Sequence, residues 1–189
     1  MSPTHPAIPQ QDSLAERWSG ALRAPQGGTA PGWLQSLRST AAGQFRTHGL
    51  PHRKVEAWKY TPMRAFEDFE LAPAVAQTAP AVDLPAPLCD RAAMIDIVDG
   101  AIAALPSGLP EGVAVFPLAE GIRRYESRLR PLFEAVDLEG ATRAFAALNT
   151  VLAEQGLVVH VRSGCEAGRL LLRWIASPGS SALLRHVRL

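Results

Sequence analysis

Apolar positions recur along this chain at two different periods, and the change of period divides it. In two stretches, 13–23 and 32–48, they fall three and four apart, the spacing of a helix that buries one face. Leu14, Trp18, Ala21 and Leu22 follow that spacing behind Ser13-Leu14-Ala15-Glu16. That tetrapeptide is a capping box, in which the serine hydroxyl and the glutamate carboxylate satisfy opposite ends of the first turn. A short helix is therefore predicted to end near Arg23. The loop PQGGTAP, residues 25–31, cannot continue it. A second helix is predicted over 32–48, with Trp33, Leu34, Leu37, Ala41 and Phe45 as its apolar stripe. Gly49 is placed to cap it in the left-handed conformation, and Pro51 blocks continuation.

Residues 50–69, LPHRKVEAWKYTPMRAFEDF, alternate aromatics with turn formers, so turns and short helical pieces are expected, interrupted at Pro62. Prolines at 73, 80, 85 and 87 make residues 73–91 a linker. Beyond it the pattern shortens. Residues 93–98 and 101–105 read as two strands around Asp99-Gly100, and 113–116 as a third. Residues 118–125 and 129–136 read as helical. A stronger helix is expected over 140–155, with Phe145, Leu148 and Leu152 at core spacing and Gly156 closing it. Three apolar runs follow at 157–161, 170–175 and 183–189. Their spacing suits an antiparallel sheet or the rungs of a β-helix. The last run reaches Leu189, so the expectation is an uncovered edge that a partner or further chain would complete.

The predicted organisation is thus a mobile arm at 1–10, a helical region at 11–72, the linker at 73–91, a small α/β segment at 92–156 and β-structure from 157 to 189. Composition narrows the function classes. The net charge is +1 over 189 residues, which steers the chain toward neither nucleic acid nor anionic membranes. No apolar run approaches the roughly 20 residues of a bilayer-spanning helix. The start, Met1 to Gln10, has neither a basic nor an apolar stretch of the kind a secretory signal needs. Cys89 and Cys165 do not form a disulfide framework, so a reducing cytoplasm is the expected setting.

Candidate chemistry is sparse. His5, His48, His52, His160 and His186 make no metal-ligand spacing with each other or with the cysteines. His160 and His186 read as half-exposed strand histidines. Arg162 beside Cys165 is an arrangement that can activate a thiol, yet no histidine base lies close in sequence, and an ordinary turn cysteine is the simpler reading. Glu67, Asp68 and Glu70 are charge on a solvated face. His52, Arg53, Lys54, Trp58, Lys59 and Tyr60 mix cations with aromatics, as a single-strand nucleic-acid platform does. Glu56, Glu67 and Asp68 offset that charge, which favours a structural role in which Trp58 and Tyr60 anchor the turn to the second helix. Arg162, Arg169, Arg173, Arg185 and Arg188 against Glu166 alone read as exposed strand faces.

The same turn carries a resemblance. Gly49, Leu50, Pro51, Arg53, Glu56, Trp58, Lys59, Tyr60, Thr61 and Arg64 follow the N-terminal signature of the SufB/SufD family, most closely its SufD branch. Gly112-Val113-Ala114-Val115 with Leu118-Ala119-Glu120 is similar to the family's strand leading into a helix. Ala144-Phe145-Ala146-Ala147-Leu148-Asn149-Thr150 resembles its Phe-x-Ala-Leu-Asn-x-Ala helix. The three matches stand in the family's order and span about 31–189. The loop Arg162-Ser163-Gly164-Cys165-Glu166-Ala167-Gly168 departs from the family's proline-containing turn.

The resemblance implies an α+β chain: a helical N-terminal part, a small mixed α/β segment, then the first rungs of a right-handed parallel β-helix, truncated at Leu189. It implies a non-catalytic scaffold subunit of the Suf iron–sulfur cluster assembly complex, with SufB-like and SufC-like partners whose contacts lie beyond Leu189. No catalytic, cofactor-binding or metal residue carries over to this portion; the cluster is implied only for the complete complex. Neither nucleic acid nor membrane is expected as a partner. The competing expectation is an independent small α/β binding protein.

Overall fold

The computed structural model describes residues 30–51, 53–61, 63, 93–135, 143–153 and 156–176. The chain divides into two units, one from Met1–Leu71 with Leu132–Leu152, the other from Ala72–Pro131 with Ala153–Leu189.

In the first unit, helix α1 (Gly32–His48) forms where the period of the sequence places it. Pro31 precedes it with extended backbone, and its carbonyl accepts from the Leu34 and Gln35 amides. Arg46 and His48 lie in the last turn, where cations complement the helix dipole. The buried stripe is Leu34, Arg38, Ala41, Ala42 and Phe45. Trp33 and Leu37, expected on that stripe, are only half-buried, and Arg38 takes the central place. The apolar spacing located the face; packing rotated it by part of a turn, and the long arginine stem fits a face that is otherwise alanine and leucine. Gly49 ends the helix with its amide 2.7 Å from the Phe45 carbonyl. Its φ of 61° is positive as predicted, but ψ is −165°, so it is not the left-handed helical cap. That combination is open essentially to glycine alone. A 3-10 turn, Glu56–Trp58, follows.

A further helix of this unit, Arg143–Val151, lies inside the predicted 140–155 helix. Its Ala144, Ala147, Leu148 and Val151 are buried, and it packs on α1. Thr150 is also buried, and its hydroxyl donates to the Ala146 carbonyl at 2.8 Å. Alanines on both helices allow close approach, while Leu34, Phe45 and Leu148 supply the bulk.

The second unit is built on strands. β1 (Ala93–Val98) and β2 (Ala101–Ala104) form the predicted antiparallel hairpin. Asp99 and Gly100 have φ of 47° and 88°, the pair of positive values that a two-residue hairpin turn requires. The register shifts between Asp96 and Ile97, leaving an irregularity opposite Ala103. β3 (Val113–Pro117) pairs antiparallel with β4 (Leu157–Val161), and β5 (Leu170–Ile175) pairs parallel with β1. The strands predicted at 157–161 and 170–175 thus both form, in separate sheets ordered β3-β4 and β2-β1-β5.

The stretches 118–125 and 129–136, expected as two helices, are two helical segments that meet at a kink, together α2 (Leu118–Glu134); the break falls at Tyr125, with φ −131°, ψ 31°. The helix Arg143–Val151 is α3 in chain order. The predicted helix at 13–23, the linker at 73–91 and the run at 183–189 lie outside the described residues, as do His5, His52, His186 and Cys89.

Candidate functional site

The turn after α1 was the densest cluster of candidate residues in the sequence. The Trp58 amide donates to the Val55 carbonyl at 2.8 Å, and the Thr61 amide to Trp58 at 3.0 Å. Trp58 is half-buried, its ring centroid 5.2 Å from that of Phe145 on α3. The expected anchor is therefore correct for Trp58 in kind, and the ring it meets lies on α3. Tyr60 is no anchor: it is 87% exposed. Lys59 lies 5.4 Å from the Tyr60 ring centroid and 3.9 Å from the Glu56 carboxylate. Arg53 and Lys54 are exposed beside them.

The arginines expected on exposed strand faces divide. Arg162 is exposed and reaches Glu111 at 3.1 Å. Arg173 instead makes a two-pronged bond to Asp96, Nε to Oδ1 at 2.7 Å and Nη2 to Oδ2 at 2.8 Å. The residues are direct partners in the parallel β1–β5 register, so the pair marks that register chemically. The hydrogen bond to Asp96 raises the Arg173 pKa; burial opposes it with a smaller effect, and the negative charge of Asp96 adds a still smaller raising one. Nothing in the sequence separation of these two residues announced the pairing. The signal was only that each polar side chain interrupts an apolar strand.

His160 is half-buried as predicted, and its ring stacks on Tyr125 at 4.6 Å and 13°. Tyr125 also meets Phe116, with centroids 5.8 Å apart. His160 is thus occupied in packing around the α2 kink. His48 is exposed at the end of α1. Cys165 is a half-exposed thiol whose amide donates to the Arg162 carbonyl. It sits against Gly112: a Cβ added there would come within 2.4 Å of the Cys165 sulfur. Among the described residues, no group of three or more His, Cys, Asp or Glu is placed to hold a metal ion. Also among them, no helix is long and apolar enough to cross a membrane. The first unit offers a presented turn and the second, separately, a parallel strand pair, each a candidate contact for assembly with another chain.

Two comparisons bear on which assembly. No curated protein matches the chain. The family model described as the SufBD protein N-terminal region matches residues 28–171. That span takes in α1, the Trp58 turn, both sheets up to the start of β5, and α3. Covering more than half of the sequence, it establishes that the chain belongs to the SufB/SufD family of the iron–sulfur cluster assembly system.

Proposed function

We propose that the chain is a SufD-like, non-catalytic scaffold subunit of a Suf iron–sulfur cluster assembly complex, acting in the cytoplasm with SufB-like and SufC-like partners. The family match over residues 28–171 carries this reading. The choice of SufD within the family rests on the residues from Gly49 to Arg64. The fold proposed for the strands is the opening of a right-handed parallel β-helix. It is supported by the pairing of β5 in parallel with β1, a strand 77 residues earlier in register. Each rung of a β-helix buries one face against its neighbours, so β5 would serve as the base for the next. The iron–sulfur cluster is cargo of the whole complex, and no residue of this portion is assigned to it.

The test is co-expression with SufB-like and SufC-like subunits, followed by affinity purification through this chain. Recovery of the SufB-like subunit in equal proportion is expected. If the chain instead elutes alone as a stable monomer, the scaffold reading fails and an independent α/β binding protein takes its place.

A further inference from the structure

The turn at 53–61 combines positive charge with a presented aromatic ring. Arg53, Lys54 and Lys59 stand against Glu56 alone in this stretch, whereas the whole chain carries only +1. All four side chains are exposed, as is Tyr60 between the lysine and Thr61. The Lys59–Glu56 pair is 3.9 Å long and open to water, with the glutamate side chain 89% exposed. Such pairs contribute little, so the ammonium can exchange to another carboxylate at small cost. The backbone beneath is fixed: Trp58 is held on Phe145, and the Thr61 amide closes the turn. Tyr60 is therefore displayed from anchored chain. Tyrosine concentrates binding energy at protein interfaces, and with two side-chain torsions it loses little freedom on being covered.

We infer that this turn is a docking surface for an acidic protein segment. Carboxylates of the partner meet Arg53 and Lys59, and an apolar side chain of the same segment covers the Tyr60 ring. Single-stranded nucleic acid is the weaker fit. The turn exposes one aromatic where such binders stack several bases. The inference stands independently of the scaffold reading.

The experiment uses the full chain and a fluorescein-labelled peptide of alternating Asp, Leu and Glu, read by fluorescence anisotropy. Saturable binding that weakens with salt is expected. Tyr60→Ala and Lys59→Glu should each weaken it by roughly tenfold. Arg128→Glu, an exposed charge reversal on α2, should leave it unchanged. Circular dichroism melts of the variants confirm that they fold. The inference is overturned by no binding, by binding indifferent to both turn variants, or by equal loss on Arg128→Glu. Tighter binding of an oligo-dT than of the peptide also overturns it.

Discussion

Trp58 and Tyr60 lie two residues apart in one turn, and their surroundings set opposite expectations. Trp58 is half-buried against Phe145, so Trp58→Ala removes a large ring from a packed site and leaves a gap. A cost of about 2 kcal/mol is expected, below the figure for a fully buried aromatic because part of the ring already meets water. For a chain of this size that is a fall in Tm of roughly 4–8 °C. Tyr60→Ala, at 87% exposure, should stay within about 0.5 kcal/mol of the parent. Thermal melts followed by far-UV circular dichroism separate the two. An unchanged Tm for Trp58→Ala would remove its role as a clasp. The sequence showed two aromatics of equal promise here; which one is held depends on where the turn points each ring, and that direction comes from the packing of α3.

Between elements, contact distances decide. Gly121 on α2 lies against Val158 on β4, and an added Cβ would fall 2.4 Å from the valine Cγ2 and 2.5 Å from its Cβ. In an isolated helix Gly→Ala gains about 1 kcal/mol. Here the overlap involves a branched carbon fixed to a strand, which cannot rotate away, and overpacking costs about 1–3 kcal/mol. Gly121→Ala is therefore expected to lower stability in chemical denaturation despite its better helix propensity. Sequence patterning marked α2 as helical but gave no reason for a glycine within it; the reason is the strand beneath. The ion pairs give a second contrast. Asp96→Asn leaves the Arg173 guanidinium, 21% exposed, without its charge partner. Glu111→Gln affects a pair whose side chains are 61% and 93% exposed. The first should lower Tm measurably and the second should not. The raised pKa of Arg173 sets the sign of its pH dependence. A group whose folded pKa lies above its unfolded value contributes fully below that unfolded value. Its contribution is lost only as pH rises through the folded pKa, so no change from this group is expected between pH 5 and 9.

For the whole molecule, the consequence lies at the sheet edge. Among the described residues β5 is the outer strand of the sheet β2-β1-β5, with Leu170, Leu171, Leu172 and Ile175 only half-buried. A partly apolar edge strand recruits other strands. On the scaffold reading the chain alone should self-associate in size-exclusion chromatography as its concentration rises, and co-expression with a SufB-like subunit should suppress this. Concentration-independent elution at the monomer position would argue against β5 as an open rung.

By itself the sequence determined what repeats locally or is written in short strings. Helical spacing placed α1 and α3, Asp99-Gly100 placed the hairpin turn, and the residues around Trp58 pointed to the family that the match over 28–171 establishes. These were legible because each depends on residues within a turn or two of one another. The tertiary structure decided how the buried face of α1 is rotated, with Arg38 on it, and which of Trp58 and Tyr60 is held. It also decided that β5 lies parallel to β1, with Arg173 on Asp96, and that β4 joins β3. Those outcomes rest on partners 77 residues apart for β5 and 40 to 48 apart for β4, or on shape at close contact, and neither periodicity nor composition encodes them.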